Sequence, residues 1–176
     1  MHTFISGGCK NGKSYYAQKL AQAGGKPLYY VATMISTGAE DDLRIERHIR
    51  ERDGWGFETI ECGRNILKCL DAADCEGSFL LDSVTALLAN EMFDPAGFDA
   101  QAHVKIADEL EEFVRRTKNA VFVSDYLYGD AGIYDEWTEN YRRGLAYIDC
   151  RLAACCDNVL EVSAGNVICH KGVKLL

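Results

Sequence analysis

Gly7-Gly8-Cys9-Lys10-Asn11-Gly12-Lys13-Ser14 meets the spacing G-x-x-x-x-G-K-[ST] at every required position, and these residue types at that spacing can cradle the phosphates of a nucleoside triphosphate. The glycines let successive backbone N–H groups curl round the anion. Lys13 can reach the terminal phosphates, and the Ser14 hydroxyl can ligate Mg²⁺. An apolar run, Thr3-Phe4-Ile5-Ser6, precedes the loop, and a helical pattern starts at Ser14. The positive N-terminal end of that helix therefore faces the anion.

A carboxylate of the right kind closes the apolar run Phe79-Leu80-Leu81-Asp82. Apolar runs ending in Asp are common, but beside a phosphate loop such an Asp can hold Mg²⁺ together with Ser14.

A third feature is the charged segment Glu40–Arg52. Read as a helix, it places Glu40, Arg44, His48 and Arg52 on one stripe, with Ile45 and Ile49 on the adjacent stripe expected to face the core. An imidazole between two guanidiniums keeps a free nitrogen lone pair near neutral pH, and those guanidiniums can stabilise charge on an attacked phosphate. This is the equipment of a phosphorus nucleophile. A solvated helix face with His48 incidental accounts for the same spacing.

Positioning these groups requires an alternating α/β chain. Strand-like runs fall at Thr3–Ser6, Leu28–Thr33, Ser78–Asp82, Ala120–Ser124, Asn158–Val162 and Val167–His170, several nearly continuous, as in strands covered on both faces. Helical spacing is found in Ser14–Gln22, Glu40–Arg52, Asn65–Ala73, Val84–Met92, Ala100–Lys118 and Glu136–Cys156. The expected fold class is a doubly wound α/β domain with a mostly parallel sheet and helices on both faces. In such sheets ligands bind beyond the carboxyl ends of the strands, where Gly7–Ser14, Thr33, Asp82 and Asp125 all fall.

With 176 residues and 48% hydrophobic content, residues 1–176 suit one domain. A net charge of −8 argues against a nucleic-acid or anionic-membrane partner. No apolar run is long enough to span a bilayer and the chain enters its first strand at once, so the expected compartment is the cytoplasm. The eight cysteines form no matched C-x-x-C pairs. They read as free thiols used as small apolar fillers, with Cys9 set apart by its place in the phosphate loop. His2, His103 and His170 belong to no motif.

Taken in order along the chain, further motifs accompany the loop: Tyr30-Val31-Ala32-Thr33, then Arg44-Ile45-x-x-His48 with Arg52, and Phe57-x-Thr59-x-Glu61. Leu80-Leu81-Asp82-Ser83-Val84-Thr85 follows with Asn90, then Tyr141-Arg142, Arg151-Leu152-Ala153 with Asp157, and Ser163-Ala164-Gly165. In order and spacing, nearly end to end, the chain resembles the bifunctional adenosylcobinamide kinase / adenosylcobinamide-phosphate guanylyltransferase family of cobalamin biosynthesis. The resemblance implies a RecA-like P-loop fold and a homo-oligomer, commonly a trimer. It implies ATP and GTP as substrates with Mg²⁺, and a corrinoid as the small-molecule partner. It implies phosphorylation of the corrinoid hydroxyl, then transfer of GMP through a guanylyl-histidine at His48. Lys13, Arg44 and Arg52 would act with His48. Gly7 to Ser14, Thr33, Glu61 and Asp82 would bind the nucleotide, and Ser14 and Asp82 the metal.

The chain departs from the family pattern after Val121-Phe122-Val123-Ser124, where Asn-Glu-Val-Gly is usual and Asp125-Tyr126-Leu127-Tyr128 stands instead. Asp149 likewise replaces a usual Asn, and Arg142-Arg143 a usual Arg-Asp. A P-loop kinase acting on another hydroxyl and a non-catalytic nucleotide-binding module are the alternative readings. In the module, loops such as Ser36–Ala39 or Leu127–Ile133 would reorder on binding.

Overall fold

The computed structural model describes residues 1–173. The strands are β1 (His2–Gly7), β2 (Leu28–Ala32), β3 (Glu58–Glu61), β4 (Ser78–Asp82), β5 (Phe93–Asp94), β6 (Gly97–Phe98), β7 (Asn119–Asp125), β8 (Asn158–Ser163) and β9 (Asn166–Lys171). The helices are α1 (Lys13–Ala23), α2 (Ala39–Glu51), α3 (Val84–Met92), α4 (Ala102–Arg116) and α5 (Glu136–Cys155), with a 3-10 helix at Ile66–Asp71. Seven strands form one sheet in the order β3-β2-β4-β7-β1-β8-β9, parallel except for the β8–β9 hairpin. β5 and β6 form a separate two-residue hairpin.

The central strands read as continuous apolar runs because both of their faces are covered. Alternate residues of β7 show it: Phe122 packs on one side of the sheet, Val121 and Val123 on the other. On one face, α3, α4 and α5 bury Leu87, Phe113 and Ile148 against Phe79 and Phe122, with Phe113 meeting those two rings edge-on at 5.3 and 5.7 Å. On the other face, α1 supplies Ala17, Leu20 and Ala21 against Ile5, Leu80 and Val121. Removing one such aromatic side chain costs about 3–5 kcal/mol.

Three expectations need correction. Asn65–Ala73 is not an α-helix: Asn65 takes a left-handed backbone (φ 50°), and only the 3-10 turn Ile66–Asp71 fits before the chain bends into β4. β3 escaped the apolar search because it is a polar edge strand on which only Ile60 is half-buried. Ile45 and Ile49 do not enter the core, since α2 buries none of its residues. All eight cysteines carry free thiols. Cys62, Cys69 and Cys156 fill core space, whereas Cys9, Cys150 and Cys169 are exposed.

Candidate active site

Parallel pairing aligns the carboxyl ends of β1, β7, β4, β2 and β3 along one edge of the sheet. Gly7 registers with Asp125, Val123 with Asp82, and Ala32 with both Asp82 and Glu61. Past this edge lies a cavity of about 1190 Å³, larger than the roughly 300–1,000 Å³ of most small-molecule sites.

The phosphate loop forms one wall. Gly7 lies so close to β8 that a Cβ would strike the Val162 carbonyl, and the Asn11 side chain donates to that same carbonyl. Asn11 Oδ1 accepts from the Lys13 N–H at 3.2 Å, so the loop closes on itself. Gly12 starts α1 from a left-handed conformation (φ 93°), with no side-chain cap and no acidic residue in the first turn. The positive end of α1 is therefore uncompensated by protein and available to an anion. The Lys13 ammonium is buried, donating to Gly8 O at 2.9 Å and to Asp125 Oδ1 at 2.6 Å.

Asp82 stands beside this loop. Burial raises its carboxyl above the ordinary carboxylate range, opposed by the charge of His48, by hydrogen bonds from Tyr30 and Ser14, and by the charge of Lys13. The Tyr30 hydroxyl donates to Asp82 Oδ2 at 3.1 Å, and its own proton is held well above the usual tyrosine range by burial and by that carboxylate.

The opposite wall is α2. Glu40, Arg44, His48 and Arg52, the stripe read from the sequence, all line the cavity. Ile45 and Ile49 line it too, giving this wall apolar as well as charged surface. Arg44 pairs with Glu40 at 2.7 Å. His48 Nδ1 lies 3.5 Å from Glu51 Oε2, leaving Nε2 as the free ring nitrogen. Arg52, at the C-cap, donates to Thr59 Oγ1 at 3.2 Å.

Cys9 to Ser14 and Glu61 join Asp82 on this cavity, while Thr33 does not. Thr33 is fully buried, its hydroxyl donating to Ser83 O at 2.8 Å and accepting from Ser83 N at 2.7 Å. It fixes the end of β4 instead of facing a ligand. Asp125, which the strand ends place at the ligand edge without a role, and Tyr30, named only within a motif, line the cavity as well. Asp125 carried the same signal as Asp82, an acid closing an apolar strand.

Residues 3–169 match the family described as cobinamide kinase / cobinamide phosphate guanyltransferase. The chain belongs to this family. It is similar to the bifunctional adenosylcobalamin biosynthesis protein CobU of Salmonella typhimurium, with 29% identity over 181 residues, covering 94% of this chain and 97% of that protein. The fold, a mostly parallel sheet between helices, is also seen in more distant likenesses. A Pyrococcus horikoshii protein, PH0250, superposes with a TM-score of 0.58 at 9% identity over 98% of this chain and 87% of its own. The flagellar accessory protein FlaH of Methanocaldococcus jannaschii gives 0.50 at 12%, over 97% and 78%. At these identities the likeness concerns the fold alone.

Proposed function

We propose that the protein phosphorylates the hydroxyl of adenosylcobinamide with ATP or GTP, then transfers GMP from GTP to adenosylcobinamide phosphate through a guanylyl adduct on His48. The observation that carries this reading is the cavity itself: a phosphate loop on one wall and the Glu40–Arg44–His48–Arg52 stripe on the other. In the second reaction His48 Nε2 attacks the α-phosphorus of GTP. The N–P bond forms as the bond to the bridging oxygen breaks, and pyrophosphate leaves with that electron pair. A phosphate oxygen of the corrinoid then displaces the histidine. Glu51 beside Nδ1 favours the tautomer with Nε2 free and balances positive charge on the substituted ring. Arg44 and Arg52 are placed to offset charge growing on the phosphates.

Ser14 and Asp82 suit Mg²⁺. Both offer hard oxygen donors on the same cavity, beside the phosphate loop. That matches a cation that keeps waters and phosphate oxygens in its shell. When bound, it would neutralise phosphate charge in both reactions.

We also take the protein to be a cytoplasmic homo-oligomer. Among the described residues no helix is long and apolar enough to cross a membrane.

The test is incubation with Mg²⁺ and α-labelled GTP, then denaturation. Acid-labile, alkali-stable label in the wild type and none in His48→Ala is expected. GTP binding without label in either would leave a kinase with another acceptor.

A further inference from the structure

Neither the metal pair nor the histidine stripe uses Asp125, which stands where the family usually has Asn and is followed by Tyr126 where the family usually has Glu, so in this chain the carboxylate at the strand end sits one residue earlier, and Asp125→Asn would leave none there. β7 lies between β1 and β4, and its last residue registers with Gly7, where the phosphate loop begins. Asp125 thus emerges between the loop and Asp82. Its Oδ1 lies 2.6 Å from Lys13 Nζ, the group that reaches a triphosphate's terminal phosphates. The carboxylate is therefore about one ammonium's width from where the γ-phosphate must lie. Its position is fixed: the Asp125 N–H donates to Thr85 Oγ1 at 2.8 Å, and the next N–H, that of Tyr126, donates to Gly7 O at 3.0 Å. Its side chain remains 30% exposed, on the cavity.

A negative charge at this point opposes an incoming polyphosphate, so it adds nothing to nucleotide affinity. It can act once the triphosphate has drawn Lys13 away, because the carboxylate is then a free acceptor beside the transferring group. We propose that Asp125 is a catalytic residue of the phosphoryl-transfer half, taking the proton of the acceptor hydroxyl. As the hydroxyl oxygen bonds to the γ-phosphorus, its O–H bond breaks toward Asp125. The γ-phosphorus–oxygen bond to the β-phosphate breaks, and the diphosphate leaves with that electron pair. Asp125 later returns the proton to solvent. This step rests on the kinase reading above and does not touch the α-phosphorus chemistry at His48.

The experiment compares wild type with Asp125→Asn, which keeps the shape and both backbone hydrogen bonds. One assay follows γ-labelled ATP with adenosylcobinamide, and a second follows labelling of His48 by α-labelled GTP. Expected for Asp125→Asn is a fall in phosphorylation kcat of about 100-fold or more. The KM for ATP should be unchanged or lower, and histidine labelling should stay near the wild-type rate. A variant kcat near that of the wild type overturns the assignment. So does a parallel loss of ATP affinity and labelling, which would make Asp125 a support of the loop. If the wild type forms no corrinoid phosphate, the kinase reading itself fails and takes this step with it.

Discussion

The guanidinium of Arg52 lies 4.4 Å from the centroid of the Tyr30 ring, and the Tyr30 hydroxyl donates a hydrogen bond to Asp82. One stack thus links the end of the helix that carries His48 to the carboxylate beside the phosphate loop. Because α2 buries no residue of its own, Arg52 ties the histidine's helix to the sheet through this stack and Thr59.

Arg52→Ala should therefore harm chemistry more than folding. An exposed cation–π contact is worth about 0.5–1 kcal/mol, so urea unfolding should move by no more than that. Labelling of His48 by α-labelled GTP should slow by on the order of 100-fold, the usual loss when one donor to a developing charge is removed. Arg52→Lys should recover little, since an ammonium can neither stack on the ring in the same way nor donate as a fork. An unchanged labelling rate in Arg52→Ala would detach this residue from the transfer step.

Lys13→Ala removes the buried ammonium and leaves Asp125 facing the phosphates alone. Both half-reactions should drop by at least about 100-fold, and ATP affinity measured by calorimetry should fall with them. Lys13→Ala/Asp125→Asn should regain part of that affinity without regaining turnover. Equal affinities in the single and double variants would show that Asp125 exerts no repulsion on the bound nucleotide.

Much of this arrangement was legible in the residues. β1, β2, β4 and β7 are buried on both faces, so hydrophobicity alone marks them, and the carboxyl ends of such strands locate the site. The stripe of α2 could be read too, because four-residue spacing fixes which side chains share a helix face. Which way that face points was not legible. Ile45 and Ile49 looked like core contacts, but they line a cavity that only the packed fold creates. β3 lay below detection because an edge strand at the site needs just one half-buried residue, Ile60. Thr33 shows the reverse failure: its place at a strand end was read correctly, yet its hydroxyl is spent on the Ser83 backbone.

Gly7→Ala tests the seat of the loop. The new methyl group would collide with the Val162 carbonyl and with the Asn11 side chain bound to it. Since that carbonyl belongs to the sheet backbone, the loop must give way. Nucleotide binding should be lost, while thermal unfolding falls by no more than an amount on the order of 1–3 kcal/mol. Gly8→Ala, where a Cβ meets nothing within 4 Å, should bind nucleotide far better. Equal binding by the two variants would mean that contact with β8 does not set the loop's shape.

Asp149 predicts a pH dependence of stability with a definite sign. This residue is 3% exposed, and burial raises its carboxyl to about 7, opposed by hydrogen bonds from Ser124 and Tyr128 and reinforced by the charge of Asp125. Its Oδ1 has no hydrogen-bond partner. In the unfolded chain the group titrates near 3.9. Between those values the folded protein keeps a proton that the unfolded chain has released, so stability falls as pH rises, by up to about 1.4 kcal/mol per pH unit. Below about pH 4 the site contributes no slope, and above about pH 7 the loss levels off. Asp149→Asn removes the titration, so relative to wild type it should gain on the order of 4 kcal/mol between pH 4 and pH 8, measured by urea unfolding across that range. Tyr128→Phe should do the opposite. Without one of the two donors to the ionised form, the folded carboxyl keeps its proton to higher pH, and the decline should continue beyond the wild-type plateau. Parallel stability curves for wild type and Asp149→Asn would show that the buried carboxylate is already ionised at pH 5, and would remove this group as a source of pH sensitivity beneath the Asp125–Gly129 loop.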